Sequence, residues 1–105
     1  MSYLLVLSTV PTLQEARKLA HFLLEKRLAT CVNITSPVES HYWWKHKKER
    51  SKEYLLLIKT VAEKFRKLEK VIRENHSYEV PEIIGIPIQK GSAKYLAWIA
   101  KEIKR

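Results

Sequence analysis

Thr30-Cys-Val-Asn-Ile-Thr-Ser-Pro-Val-Glu-Ser-His-Tyr-Trp-Trp44 is followed, across the charged segment Lys45-His-Lys-Lys-Glu-Arg-Ser-Lys52, by Glu53-Tyr-Leu-Leu-Leu-Ile-Lys-Thr60. β-Branched and aromatic residues mark both flanks as extended, so the pattern predicts two strands back to back with a charged turn between them. Pro37 lacks a backbone N–H and predicts a bend or bulge within the first flank. Two strands with no helix between them break the strand-helix alternation of a parallel sheet, and the elements on either side decide which mixed fold results.

Upstream, the β-branched run 3–9 ends before Pro11 and has the length of a buried strand. Thr12 and Glu15 then form a capping-box pattern, after which Leu13, Ala16, Leu19, Ala20, Leu23 and Leu24 recur at helical spacing. Downstream, residues 61–74 predict a second helix with Val61, Phe65, Leu68 and Ile72 on one side. Residues 83–88 predict another strand, interrupted near its end by Pro87. Residues 92–104 predict a last helix with Ser92 as N-cap and Leu96, Ile99 and Ile103 buried. The order β-α-β-β-α-β plus a trailing helix is that of an α+β, ferredoxin-like fold, in which two right-handed βαβ units interleave into one antiparallel sheet with helices on one face. Residues 1–105 read as a single domain.

Length adds a constraint. Residues 29–44, if extended, would span about 50 Å, whereas a compact domain of this size is about 34 Å across. The hairpin must bend or protrude. Trp43 and Trp44 are neighbours on a strand and so point to opposite faces, and helices on one face can shelter only one of them. A second copy of the chain is the economical cover for the other face and for an open sheet edge, so a homo-oligomer is expected.

Composition narrows the class. With 46% hydrophobic residues the chain can build a core, and no apolar run approaches the roughly 20 residues of a membrane span. The start lacks the basic region of a secretory leader, and a lone cysteine, Cys31, makes no internal disulfide. The expectation is a cytoplasmic protein with no membrane partner. The net charge of +9 raises the question of nucleic acid. The cations, however, are spread over all the helices and alternate with Glu at helical spacing, as in Glu63/Lys67, Glu69/Arg73 and Lys70/Glu74, which reads as solvated faces. The absence of Asp, with only two Asn and two Gln against abundant Lys and Glu, is the bias of heat-adapted proteins.

The chemistry-bearing residues gather in Asn75-His-Ser-Tyr-Glu-Val-Pro-Glu-Ile-Ile84. His76 falls at a helix C-terminus, where carbonyl groups favour an imidazolium or a cation. Pro81 holds Val80 extended and so aims Glu79 and Glu82. A Cys31 thiolate with the His76 imidazole suits copper or zinc, and Glu79 or Glu82 would add an oxygen ligand. With no Cys-x-x-Cys and no helical His pair, such a site would draw on distant positions or different subunits. Each group also has a structural reading: Cys31 as a small buried side chain, His76 on a backbone carbonyl, the glutamates as ion-pair partners, with Glu82 the candidate partner for Lys59 at the end of an apolar strand. His21 and His46 read as surface residues. Tyr95 and Trp98 form an aromatic pair off the main helix stripe.

Cys31-Val-Asn-Ile34, Tyr42-Trp-Trp44, Lys59-Thr60, His76 with Tyr78-Glu-Val-Pro-Glu-Ile-Ile84, and Gly91 with Tyr95 and Trp98 together resemble the CutA family of divalent-cation tolerance proteins. The resemblance implies ferredoxin-like subunits in a homotrimer whose long hairpin pairs into a neighbour's sheet. It also implies an architecture similar to the PII signalling proteins, with binding rather than turnover as the role, and a divalent metal ion, copper or zinc, at Cys and His positions. On that reading His76, Cys31, Glu79 and Glu82 are the metal candidates, and Tyr42, Trp43, Trp44, Lys59, Tyr78 and Trp98 line an interface or pocket. Four departures stand out. Ser8 replaces a cysteine that some members carry just after the first strand, Ser77 replaces a proline, His46 stands where the hairpin turn has glycine, and His41 replaces an apolar residue. The competing functions are an RNA-binding ferredoxin-like module, whose basic-Gly-aromatic strand pattern is missing from residues 53–60, and a small enzyme using His76 with Glu79 or Glu82 as base.

Overall fold

A computed structural model describes residues 1–104. Its elements are β1 (Tyr3–Val10), α1 (Leu13–Glu25), β2 (Cys31–Ile34), β3 (Val38–Trp44), β4 (Lys47–Val61), α2 (Phe65–Asn75), β5 (Ile84–Pro87) and α3 (Ala93–Ile103). A 3-10 turn, Ala62–Lys64, joins β4 to α2. The sheet runs β2-β4-β1-β5, antiparallel throughout, and β3 extends it by pairing with the distal part of β4. This is the ferredoxin-like arrangement with an added C-terminal helix.

Local chemistry sets the helix boundaries. Thr12 caps α1 by accepting from the Glu15 N–H at 3.1 Å, and its hydroxyl donates to the Glu15 carboxylate at 3.3 Å. At the other end Arg27 takes φ 55°, which turns the Arg27 N–H to the Leu24 carbonyl (3.0 Å) and the Leu28 N–H to the Leu23 carbonyl (2.9 Å). That pair of bonds satisfies the last carbonyls of the helix. Ser92 caps α3 through the Tyr95 N–H. Of the three ion pairs read from helical spacing, Glu69/Arg73 closes at 3.7 Å; the other two do not come within ion-pair distance among the described residues.

One face of the sheet is sealed. Val6 and Val10 of β1 and Leu56 and Ile58 of β4 pack beneath Ala16, Leu19 and Leu23 of α1 and Leu68 and Ile72 of α2, all fully buried. Gly85 belongs to the same face, and a Cβ there would meet the Phe65 ring at 3.2 Å, so the small residue makes room for α2. The expectation that all helices share that face is overturned by α3. Ile99 and Ile103 pack on Val61 with Tyr3 and Leu96, a second core on the opposite face. Two bonds to the end of α3 hold it there: Thr30 Oγ donates to the Ile99 carbonyl (2.7 Å) and Arg27 Nη1 to the Glu102 carbonyl (2.8 Å). Because α3 covers only one end, Leu5, Leu7, Leu55 and Leu57 stay half-buried and Ile84 and Ile86 exposed on the remainder.

The hairpin bears out one reading and corrects another. The register moves from Ile34↔Leu56 to Val38↔Glu53, so three residues, Thr35 to Pro37, oppose two on β4: the bend or bulge expected at Pro37 is a β-bulge. The charged segment is not a turn but mostly strand. Residues 47–52 pair with β3, because ladder hydrogen bonding and cross-strand partners outweigh the weak β-preference of Lys and Glu. Only Lys45 and His46 turn, at φ 51° and 68°. The chain is accordingly 44 Å long against 26 and 24 Å in its other dimensions.

Two consecutive positive φ values define a type I′ turn, whose positions favour Asn and Gly. His46→Gly is expected to stabilise the fold by about 1 kcal/mol, since a side chain in the left-handed region costs about that much. The urea midpoint is the measure, and an unchanged or lower midpoint would show the turn to be unstrained.

Candidate functional site

The loop after α2 is built around His76, which ends the helix in an extended conformation, φ −98° and ψ 142°. Its ring reaches across to β1, where Nε2 lies 2.7 Å from the Thr9 carbonyl, while Nδ1 lies 3.0 Å from the Tyr78 backbone N–H. The first contact requires a proton on Nε2 and the second a lone pair on Nδ1, so the hydrogen bonds select the neutral Nε2–H tautomer. Both ring nitrogens are thereby used within the chain. The imidazole also stacks, tilted, on the Tyr78 ring with centroids 4.8 Å apart.

Tyr78 carries the site onto the sheet. Its hydroxyl donates to Glu53 Oε2 at 2.6 Å, the length of a charge-assisted bond. Burial, followed by this hydrogen bond and the Glu53 charge, raises the phenol well above its ordinary range, so Tyr78 keeps its proton and acts as a donor. Glu53 is only 6% exposed, an uncommon position for a carboxylate, and no cation lies within ion-pair distance of it among the described residues. Sequence reading missed it. The available signal was an acid opening the otherwise apolar stretch 53–58.

Glu82 is exposed at the far end of the loop, within reach of the Glu53 charge. Desolvation, and secondarily the Glu53 charge, raise its carboxyl above the usual value. The sign follows. A carboxyl raised on folding makes the native state bind more protons than the unfolded chain, so its effect on stability becomes unfavourable as pH rises from about 4.5 through the folded value. Glu82→Gln is expected to unfold at higher urea than the parent at pH 7 and at equal urea below pH 4, the gap opening between. A gap that persists below pH 4 would assign the effect to packing.

The other sequence candidates lie elsewhere. Cys31 is half-buried and pairs in register with Lys59, six residues along β4 from Glu53 and so about 20 Å away. Its thiol lies 3.9 Å from Asn33 Oδ1 and beside Tyr95, whose phenol is raised first by burial and then by Cys31. Lys59 bonds Asn33, not Glu82 as read from the sequence; the two lie near opposite ends of the sheet. Glu79 is exposed. His76, Cys31, Glu79 and Glu82 are thus not brought together within the chain, and among the described residues no three His, Cys, Asp or Glu side chains converge as metal ligands. Tyr42, Trp43 and Trp44 are exposed on the hairpin, Trp43 most at 70%. Tyr95 and Trp98 form the expected pair at 5.6 Å, both partly exposed on α3.

Ser8 lies inside β1 rather than after it. It is fully buried on the face beneath α1 and α2, and its hydroxyl has no hydrogen-bond partner among the described residues. A side chain there cannot reach an ion at the surface. An unpaired buried hydroxyl costs about 1–3 kcal/mol, so Ser8→Ala is expected to raise stability by about 1 kcal/mol after the small void is counted. A lower unfolding midpoint would mean that the hydroxyl is satisfied in solution.

The family model of the CutA1 divalent ion tolerance proteins matches residues 4–102. The chain belongs to that family. It is 42% identical over 96 residues to the divalent-cation tolerance protein CutA of Archaeoglobus fulgidus, covering 91% of this chain and 93% of that one. The solved structure of the A. fulgidus protein, described as a periplasmic divalent cation tolerance protein, superposes with a TM-score of 0.93 at 40% identity, covering 96% and 98% of the two chains. The crystal structure of CutA1 from Oryza sativa gives 0.94 at 38% identity, covering 97% and 94%. Against the chloroplastic rice protein CutA 1, 41% identical over 96 residues, the chain spans 54% of the relative's length. The family is named for tolerance of divalent ions, not for a reaction. No helix among the described residues is long and apolar enough to cross a membrane.

Proposed function

We propose that this CutA1 family member works as a homotrimer that binds divalent cations, copper or zinc being the ions to test, and that it catalyses no reaction. The observation that carries the assembly is the uncovered part of the second sheet face. Leu5, Leu7, Leu55 and Leu57 there are half-buried and Ile84 and Ile86 exposed. Trp44 and Tyr42 continue it along the hairpin, because both share a side with the odd-numbered residues of β4. A contiguous apolar face of this kind is what protein–protein contact covers. Trp43, on the other side of the ribbon, would be sheltered by a neighbour into whose sheet the hairpin reaches.

Ion binding then belongs to the seams. His76 has spent both nitrogens on Thr9 and Tyr78, so the free donors of the loop are Glu79 and Glu82, with Glu53 behind them. Cys31 could join them only from another subunit. Carboxylates suit zinc or copper(II) better than copper(I), which prefers thiolate. The low Asp, Asn and Gln content supports a heat-stable trimer, and the single unpaired cysteine supports a cytoplasmic setting.

Light scattering tests the assembly, with three subunits' mass expected. Calorimetric titration with copper(II) and zinc tests the ion, run in parallel on Glu79→Gln/Glu82→Gln and on His76→Ala. The expected result is saturable heat that is lost in the carboxylate variant. Loss in His76→Ala alone would return the ligand role to the histidine, and no saturable heat from either ion would end the cation-binding reading.

A further inference from the structure

The ends of all three helices converge on one recess of about 610 Å³, and its lining is nearly all cationic. Lys26 and Arg27 enter it from the end of α1, Lys64 and Lys67 from the start of α2, and Lys104 from the end of α3. Against these five cations stands, among the described residues, one carboxylate, Glu63. Arg27 is already engaged, 2.8 Å from the Glu102 carbonyl and 3.6 Å from its carboxylate. The four lysines make no ion pair among the described residues, and Glu63 does not close on Lys67 despite its helical spacing.

Helix electrostatics account for only part of this. Lysines at the ends of α1 and α3 complement the negative pole of each helix, but Lys64 and Lys67 flank the positive pole of α2, where charge of that sign is unfavourable. The first turn of α2 holds no acid, and Lys64 at its N-cap position makes no side-chain cap. Four lysines lining one recess give it a positive potential, and an anion placed there is favoured by it.

We propose that this recess binds a compact polyphosphate, a chain of two or more linked phosphates. The lining decides the class. Lysines offer point charges rather than the planar fork of arginine, so charge density is read in preference to carboxylate geometry. Among the described residues the lining holds no aromatic ring to stack a base, and its one apolar side chain is Ile103. A nucleotide's base and sugar therefore gain nothing beyond what the phosphates supply.

The test is a titration of the intact protein with sodium tripolyphosphate at fixed ionic strength. Lys64→Gln/Lys67→Gln removes two recess cations, and Lys18→Gln/Lys94→Gln removes two exposed ones elsewhere. The expected result is one site per subunit, at least tenfold weaker in the recess variant and within twofold of the parent in the other. Tripolyphosphate should raise the unfolding temperature of the parent and leave that of the recess variant unmoved, which separates lost binding from lost folding. Absence of saturation, or equal weakening in both variants, would reduce the recess to general positive charge and overturn the proposal. ATP binding tenfold tighter than tripolyphosphate would overturn the assigned class.

Discussion

Leu57→Asp is expected to release single subunits that keep their secondary structure. Leu57 lies in β4 between Leu7 of β1 and Asn33 of β2, on the face turned away from the core beneath α1 and α2. Within one subunit an aspartate there stays hydrated. In an assembly closed over this face it would be desolvated without a partner, a cost of several kcal/mol per copy, on top of about 2 kcal/mol of lost apolar burial. Three copies of that penalty exceed what a subunit interface of ordinary size tolerates. Light scattering should report one subunit's mass while the far-ultraviolet circular dichroism stays unchanged. If the variant keeps a trimer's mass, the seam lies elsewhere and the assembly proposed above is mistaken.

The second large effect concerns the loop rather than the face. Tyr78→Phe deletes the hydroxyl that donates to Glu53 at 2.6 Å and leaves a carboxylate buried to 6% exposure without that donor. Hydrogen bonds to charged groups contribute about 1.5–3 kcal/mol, and the stranded acceptor adds its own desolvation, so a loss of about 2–3 kcal/mol is expected at neutral pH. Glu53→Gln should cost less, because an amide oxygen still accepts from the phenol. The double variant should then cost less than the two single losses added together, the signature of a shared interaction. Strictly additive urea midpoints would show that the two groups are not coupled.

Much of the fold is legible in the sequence because its signals are local. The capping pattern Thr12/Glu15 and the cap at Ser92 act within a turn of their own helices. The β-branched run 3–9, ended by Pro11, marks a buried strand without reference to any other. The element order then leaves the ferredoxin-like arrangement as the simple antiparallel closure. The candidate site was legible only in part. His76 and Tyr78 could be singled out, but their partners, Thr9 and Glu53, lie 67 and 25 residues away. Whether an imidazole bonds a carbonyl or a metal is settled by which carbonyl arrives, and spacing along the chain does not encode that.

The amino-acid order alone determined most of the strands and helices, residues 47–52 apart, and that the hairpin outgrows the body, since those follow from nearest-neighbour sterics, periodicity and length. Only the tertiary structure decided that α3 takes the second face, that Glu53 is the buried acid beneath Tyr78, and that Cys31 and His76 lie at opposite ends of the sheet. The apolar line Leu96, Ile99 and Ile103 says that α3 must be covered, not by what. Tyr3 and Val61 supply the surface, and Thr30 and Arg27 the polar bonds that hold α3 against it. Such contacts join residues dozens of positions apart, and their free energy exists only once the sheet has brought them within reach.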